Sequence, residues 1–406
     1  MPFTPAHRLS TFGTTIFAEM TALAIQHNAI NLSQGFPDFD GPAEVKAAAI
    51  AAIQSGDNQY ALSNGQPDLR KAVAAHAARF YGQAVNPETE ITITSGATEG
   101  LFSTIIGLIN PGDEVILFEP FYDGYVPDVI MSGGVPRFVP LRPTTRPSTA
   151  PLRGSAQDAS IEWNFDPDEL AAAFNNRTRA ILINTPHNPT GKVYSRAELE
   201  TIAALCQKWN TIAISDEVYE HITFDGVKHT RLAQLPGMAE RTVTISSHGK
   251  TFSFTGWKIG WAIAPPDLTA AIRRAHQFVN YASVTPMQAA AAFALGLDDE
   301  YYSALAADYQ HKRDLLAAIL RGAGFDVSPP AGTYFIMAGI EPLGFDDDVA
   351  FCRYLTSEIG VAAIPPSAFY SEQHKSLGKG YARFAFCKKP DTLQRAAERL
   401  TKLKRI

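Results

Sequence analysis

Cysteine is scarce. The chain has three in 406 residues, Cys206, Cys352 and Cys387, and no CxxC pair. An odd, scattered set of thiols offers neither a disulfide framework nor a metal-ligand spacing, and reads as buried free thiols in a reducing compartment. Long apolar runs are missing too, so no membrane span is expected. Positive charge is in deficit: 35 Lys and Arg against 41 Asp and Glu leave a formal net charge of −6. That disfavours nucleic acid as the main partner, because a phosphate backbone calls for a basic face. The opening residues MPFTPAHRLSTFG hold no positive stretch followed by an apolar core. No secretory signal is read, and the expected location is cytoplasmic. Asn31 and Asn176 begin Asn-x-Ser/Thr triplets that are chance matches without such a signal. No internal repeat is visible.

What is present is an ordinary globular composition, 46% hydrophobic and 19% charged. A chain of this length exceeds one core and predicts two domains. Apolar runs at 114–120, 179–186, 211–219 and 242–250 read as strands ending in polar residues. The segments 167–178 and 195–210 between them carry helical spacing. Both helices open well, with Asp166 before Pro167 and with Ser195 and Glu198 as a capping box. This alternation predicts an α/β domain with a mixed, mostly parallel sheet flanked by helices, and ligands beyond the strands' carboxyl ends. From about residue 286 the texture changes to a long glycine-closed helix, short strands in GTYFIMAGI, GVAAIPP and YARFAFC, and an amphipathic helix carrying Leu393, Leu400 and Leu403. The expected division is an N-terminal arm (1–35) joined to a smaller α+β domain (286–406), with a large domain at 36–285. The Pro-, Ser-, Thr- and Arg-rich segment 142–160 reads as a surface excursion of the large domain.

Four motifs carry the chemistry. TSGATEG (94–100) follows a strand and opens a helix, a place where free backbone N–H groups hold anions. NTPHNPTGKV (184–193) aims Asn188 from a turn at a strand end, where the bland reading is that asparagine suits turns. ISDEVYEH (214–221) puts Asp216 just past a buried strand with Tyr219 three residues on. Such a carboxylate needs a partner, either a segment to cap or a cationic ring nitrogen. Glu217, Glu220 and His221 read as solvated or structural. ISSHGKTFSFTGWKIGW (245–261) holds Lys250 and Lys258. Its GKT is not the end of a triphosphate loop, because that motif places a glycine where the chain has Thr244. The other reading is a lysine that bonds covalently to a carbonyl.

In this order and at these distances, SGATEG, NPTG, DEVY and SSHGKTFSFTGWK resemble the pyridoxal-phosphate-dependent aminotransferases of fold type I, classes I and II. The resemblance runs from NLSQGFPDFDGP to ARFAFCKKPDTLQRAAERL. In texture the chain is similar to the kynurenine/glutamine transaminase branch and to bacterial methionine aminotransferases. The resemblance implies that Lys250 bonds the cofactor aldehyde and then moves the substrate's α-proton, which requires a lowered pKa. Asp216 would keep the pyridine nitrogen protonated. Tyr219 and Asn188 would bond the ring's phenolic oxygen. Ser247, Lys258 and the backbone amides of Ala97 and Thr98 would cradle the phosphate, with Lys258 standing where many relatives have arginine. Tyr122 would stack on the ring, Arg383 would anchor the substrate α-carboxylate in a bidentate fork, and Gly35 would add a backbone contact opposite. Tyr60 and Tyr281 would reach the partner's pocket in a homodimer.

Two alternatives share these motifs. A cysteine-S-conjugate β-lyase of the same fold would use the same lysine and aspartate. A regulator with a DNA-binding segment is set aside, since similarity begins by residue 30 with no basic helix-turn-helix before it. For the donor, the candidate pocket residues Phe17, Phe36, Thr98, Phe121 and Tyr281, with the partner's NYASVTP stretch, include no cation. The expected substrates are therefore a neutral amino acid, methionine first and then aromatic amino acids, kynurenine or glutamine, and a 2-oxo acid.

Overall fold

The computed structural model describes residues 4–146 and 160–404. Strand β1 (Ile30–Asn31) belongs to the arm. Next come β2 (Ile91–Thr94), β3 (Glu114–Glu119), β4 (Val135–Pro140), β5 (Arg142–Arg146) and β6 (Ser160–Asn164). The middle of the chain adds β7 (Thr178–Asn184), β8 (Ile212–Asp216), β9 (Thr242–Ser247) and β10 (Gly260–Ile263). The C-terminal strands are β11 (Asp326–Val327), β12 (Phe335–Gly339), β13 (Val361–Ala362) and β14 (Tyr381–Ala385). The expected excursion at 142–160 lies largely outside the described residues; its two ends, β5 and β6, pair antiparallel.

Seven strands form the central sheet in the order β2-β10-β9-β8-β7-β3-β4. All its pairings are parallel except those of β10, which runs against both neighbours. Every residue of β3, β8 and β9 is buried. The reason is visible in β3: Val115 and Leu117 enter one core cluster, Ile116 and Phe118 the other. A strand covered on both faces needs a continuous apolar run, not alternation.

The helices of the arm and the large layer are α1 (Ile16–Gln26), α2 (Ala43–Ser55), α3 (Pro67–Tyr81), α4 (Gly96–Leu108), α5 (Tyr125–Met131), α6 (Pro167–Ala173), α7 (Arg196–Trp209), α8 (His248–Thr251) and α9 (Pro266–Val279). They are followed by α10 (Thr285–Leu295), α11 (Asp299–Gly322), α12 (Asp348–Tyr354) and α13 (Pro390–Leu400). Asp166 caps α6 by accepting from the amides of Asp168 and Glu169, and Ser195 and Glu198 form the capping box of α7. Helix α10, which starts at the expected boundary, packs on α2 and α3 in the large layer. The arm joins the C-terminal layer: β1 pairs with β13, and Met20, Ile30 and Leu32 share a core with Leu316, Phe384, Leu393 and Leu400.

Two strand readings are corrected. The run 242–250 is strand only to Ser247; α8 begins at His248, so Lys250 stands on a one-turn helix. The GVAAIPP strand is only two residues long because past Ala362 the chain leaves β1, and Ile364 bridges instead to Arg383 of β14.

Candidate active site

Parallel pairing sets Asn184 opposite Asp216 at the carboxyl ends of β7 and β8. The Asn184 amide donates to the Asp216 carbonyl at 3.0 Å, and its side-chain oxygen accepts from the Asn188 N–H at 2.7 Å. These bonds join the turn carrying Asn188 to the strand end carrying Asp216. Above them opens a cavity of about 410 Å³. Most of the sequence-predicted residues line it: Lys250, Asp216, Tyr219, Asn188, Ser247 and Lys258, with Ala97, Thr98 and Tyr122, and with Phe17, Gly35, Phe36 and Arg383.

Electrostatics follow from burial. Desolvation lowers Lys250 to about 8, against the opposing pull of Asp216 and the buried Cys387. Its Nζ reaches the Gly35 carbonyl at 3.5 Å and faces the rings of Tyr219 and Tyr334, each at 5.7 Å. Burial raises Asp216 to about 6, opposed by hydrogen bonds from the Tyr125 hydroxyl at 2.7 Å and the Val218 amide at 3.3 Å, and by Lys250. Above that pH the carboxylate is ionised and can hold a proton on a ring nitrogen. Arg383 is fully buried, which brings it down to about 10. It donates through Nη1 to Asn188 Oδ1 at 3.0 Å and through Nη2 to the Ser33 carbonyl at 2.7 Å. Its Nε has no partner. A buried, orphaned N–H on a guanidinium is a vacant donor for an incoming carboxylate.

The residues fit pyridoxal phosphate. Helix α4 starts at the cavity, where its first N–H groups have no intrahelical acceptor. Lys258 takes a left-handed φ of 54°. A Cβ on Gly96 would stand 3.2 Å from Lys258 Nζ, and one on Gly260 would stand 2.7 Å from the Ala97 nitrogen. Gly96, at a φ of 76°, leaves room for Lys258, and Gly260 lets β10 pack against the helix start; together they make an anion cradle.

Three expected site residues lie elsewhere. Tyr60 and Tyr281 are 86% and 52% exposed, stand edge to face at 5.5 Å, and do not line this cavity. Phe121 is corrected to a core position: its ring packs on Phe138, and its N–H donates to the Phe369 carbonyl. Glu217 and Glu220 are not solvated. Both are buried and paired to the buried Arg231, at 3.1 and 2.7 Å. Thus one face of the 216–221 segment serves the cavity and the other is fixed from behind. Tyr125 and Asn184 were missed. The tyrosine three residues after Tyr122 and the asparagine four before Asn188 were the available signals.

The family described as aminotransferase class I and II matches residues 27–400. A kynurenine–oxoglutarate transaminase from Dictyostelium discoideum is 45% identical, over 99% of this chain and 97% of its own length. A methionine aminotransferase from Escherichia coli K12 is 41% identical over 99% of both. The structure of N-succinyldiaminopimelate aminotransferase from Mycobacterium tuberculosis superposes with a TM-score of 0.91 at 46% identity, over 98% of this chain and 100% of that one. The cradle, the buried lysine facing a strand-end aspartate and these likenesses agree: the chain belongs to the class I and II aminotransferases of fold type I and is a pyridoxal-phosphate-dependent transaminase.

Proposed function

We propose that the enzyme moves the amino group of a neutral amino acid to a 2-oxo acid, with methionine the first donor and aromatic amino acids, kynurenine or glutamine next. One observation carries this: among the described residues, the cations lining the cavity are Lys250, Lys258 and Arg383. The first is assigned to the cofactor aldehyde, the second to its phosphate and the third to the α-carboxylate. None remains for a distal carboxylate, and burying that charge unpaired is prohibitive. The donor named for the Mycobacterium tuberculosis relative is acidic at its far end; the 46% identity makes such a donor the second reading, and it requires a cation from outside this cavity. The comparisons give the β-lyase alternative no support.

Pyridoxal phosphate supplies an electron-withdrawing ring that takes up charge from the substrate Cα. The chain supplies the rest. Arg383 and Asn188 orient the carboxylate, Asp216 keeps the ring nitrogen charged, and the Lys250 amine accepts and returns the α-proton. Tyr219 and Asn188 would hold the phenolic oxygen, and Tyr122 would cover the ring. Neutral donors should exceed aspartate by about 100-fold or more in kcat/KM, on the scale of the ~3 kcal/mol cost of an unsatisfied buried group. A steady-state panel of methionine, phenylalanine, kynurenine, glutamine and aspartate with one acceptor reads this. Parity of aspartate with methionine defeats it.

We also place the active form as a cytoplasmic homodimer with shared sites. The three buried thiols suit a reducing compartment. No helix among the described residues is long and apolar enough to cross a membrane. The exposed Tyr60 and Tyr281, with Phe278 at 87% exposure, suit a surface that a second copy covers. Mixing an inactive Lys250 variant with an inactive Tyr60 variant should restore part of the activity through hybrid dimers; a fully active monomer would refute shared sites. The arm (1–35), large part (36–285) and C-terminal part (286–406) are kept as the domain reading, with α10 packed back on the large part.

A further inference from the structure

Between β1 and α2 the chain forms an irregular strap whose residues Gln34, Gly35 and Phe36 wall the cavity. Its consecutive carbonyls are all claimed from the C-terminal layer. Arg383 Nη2 takes Ser33 O at 2.7 Å, and the Tyr334 hydroxyl takes Gly35 O at 2.5 Å. Lys388 Nζ takes both Gln34 O at 3.2 Å and Phe36 O at 2.7 Å, and stands 4.8 Å from the Phe36 ring centre. Farther on, Asp38 caps the start of α13, accepting from the Lys389 N–H and the Thr392 hydroxyl, each at 2.6 Å.

Lys388 is the unusual member of this set. Its residue is 3% exposed, and no carboxylate pairs with it among the described residues. A buried ammonium satisfied only by carbonyls is costly, and an apolar side chain would fill the same space without that cost. What the ammonium does and an apolar chain cannot is grip the carbonyls on either side of Gly35 with one atom. That fixes the plane of Gly35, whose own carbonyl faces Lys250 and Tyr334, and it holds Phe36 against the cavity.

We propose that Lys388 is a positioning residue for substrate binding: by clamping the Gln34 and Phe36 carbonyls it sets the strap that forms the wall of the donor pocket. This rests on the reading that the donor lies between Arg383 and the strap. The group touches neither cofactor nor reacting atoms, so its removal acts on substrate affinity, not on the chemical step. Long donors, which reach Phe36, depend on it more than short ones.

The test is steady-state kinetics of the cofactor-loaded enzyme for Lys388→Met, Lys388→Gln and Lys388→Arg with methionine, phenylalanine and alanine. Thermal midpoint and cofactor absorbance are measured in parallel. Expected for Lys388→Met are a KM for methionine and phenylalanine raised about tenfold or more, a smaller rise for alanine, and kcat within about threefold, the signature of lost binding that is uniform between ground and transition state. Lys388→Arg, which keeps a cation able to reach both carbonyls, recovers most of the affinity. Where Lys388→Met does not fold, Lys388→Gln is judged by the same criterion. A KM within twofold of native in the folded variant, whatever the thermal midpoint, overturns the proposal, as does a fall in kcat at unchanged KM. The native enzyme separates the two readings: failure of native enzyme to use neutral donors sinks the donor class, whereas a flat KM beside an active native enzyme sinks only the role of Lys388.

Discussion

Lys250→Ala abolishes transamination, with kcat falling roughly 10⁶-fold, the scale on which interdependent sites lose activity when their central nucleophile goes. The reason is that one side chain has two duties. Its amine is the group assigned to the cofactor aldehyde, and it is also the base assigned to the α-proton. Among the described residues lining the cavity, one other amine is present. Lys258, the other lysine on the cavity, stands against Gly96 at the start of α4, in the phosphate cradle. Burial has already brought the Lys250 amine down to about 8, so about a tenth of it is unprotonated and able to accept a proton at pH 7. The check is single-turnover kinetics of the purified variant, with circular dichroism to establish that it is folded. Retention of more than about a thousandth of native turnover would assign the base elsewhere.

The second large effect is at Asp216. Asp216→Asn keeps the shape and can keep the contact with Tyr125, but removes the charge assigned to holding a proton on the ring nitrogen. Turnover falls on the order of 10³-fold, the cost of losing one preorganised charge where charge develops in the transition state. Cofactor binding survives, because the phosphate cradle and Lys250 are untouched. The sign of a linked titration is also fixed. The Asp216 charge raises the Lys250 pKa, so in Asp216→Asn the amine should titrate below the native value of about 8. In the cofactor-free proteins the pH dependence of Lys250 modification by an amine-reactive reagent reads that shift, and stopped-flow turnover of the loaded enzyme reads the rate. A near-native rate would mean that the ring nitrogen is not the electron sink used here.

Much of this site was legible in one dimension because its groups sit where local rules put them. Asp216 and Asn188 follow apolar runs that end in polar residues, and such ends become the carboxyl edge of a parallel sheet. Ala97 and Thr98 open a helix after a strand. The missing parts depend on distance along the chain. Tyr125 reaches Asp216 across 91 residues, and neither position carries a local mark of the other. Lys388 is one of two adjacent lysines in FCKKPD; which is buried depends on the strap 352 residues away. Glu217 and Glu220 read as solvated or structural, with nothing local to decide between the two; Arg231, ten or more residues on, makes them structural, as a buried counter-charge. Phe121 was read among the pocket residues, yet its ring turns into the core against Phe138. Tyr60 and Tyr281 lie outside this cavity, and their assignment to a partner's pocket belongs to the proposed homodimer.

The most direct test is chemical mapping of the cofactor linkage. Borohydride reduction of the purified enzyme, followed by proteolysis and mass spectrometry, should place a reduced pyridoxyl phosphate group on the peptide containing Lys250, with fragmentation locating it at that residue. The same mass on Lys258, or on no lysine at all, would contradict the assignment.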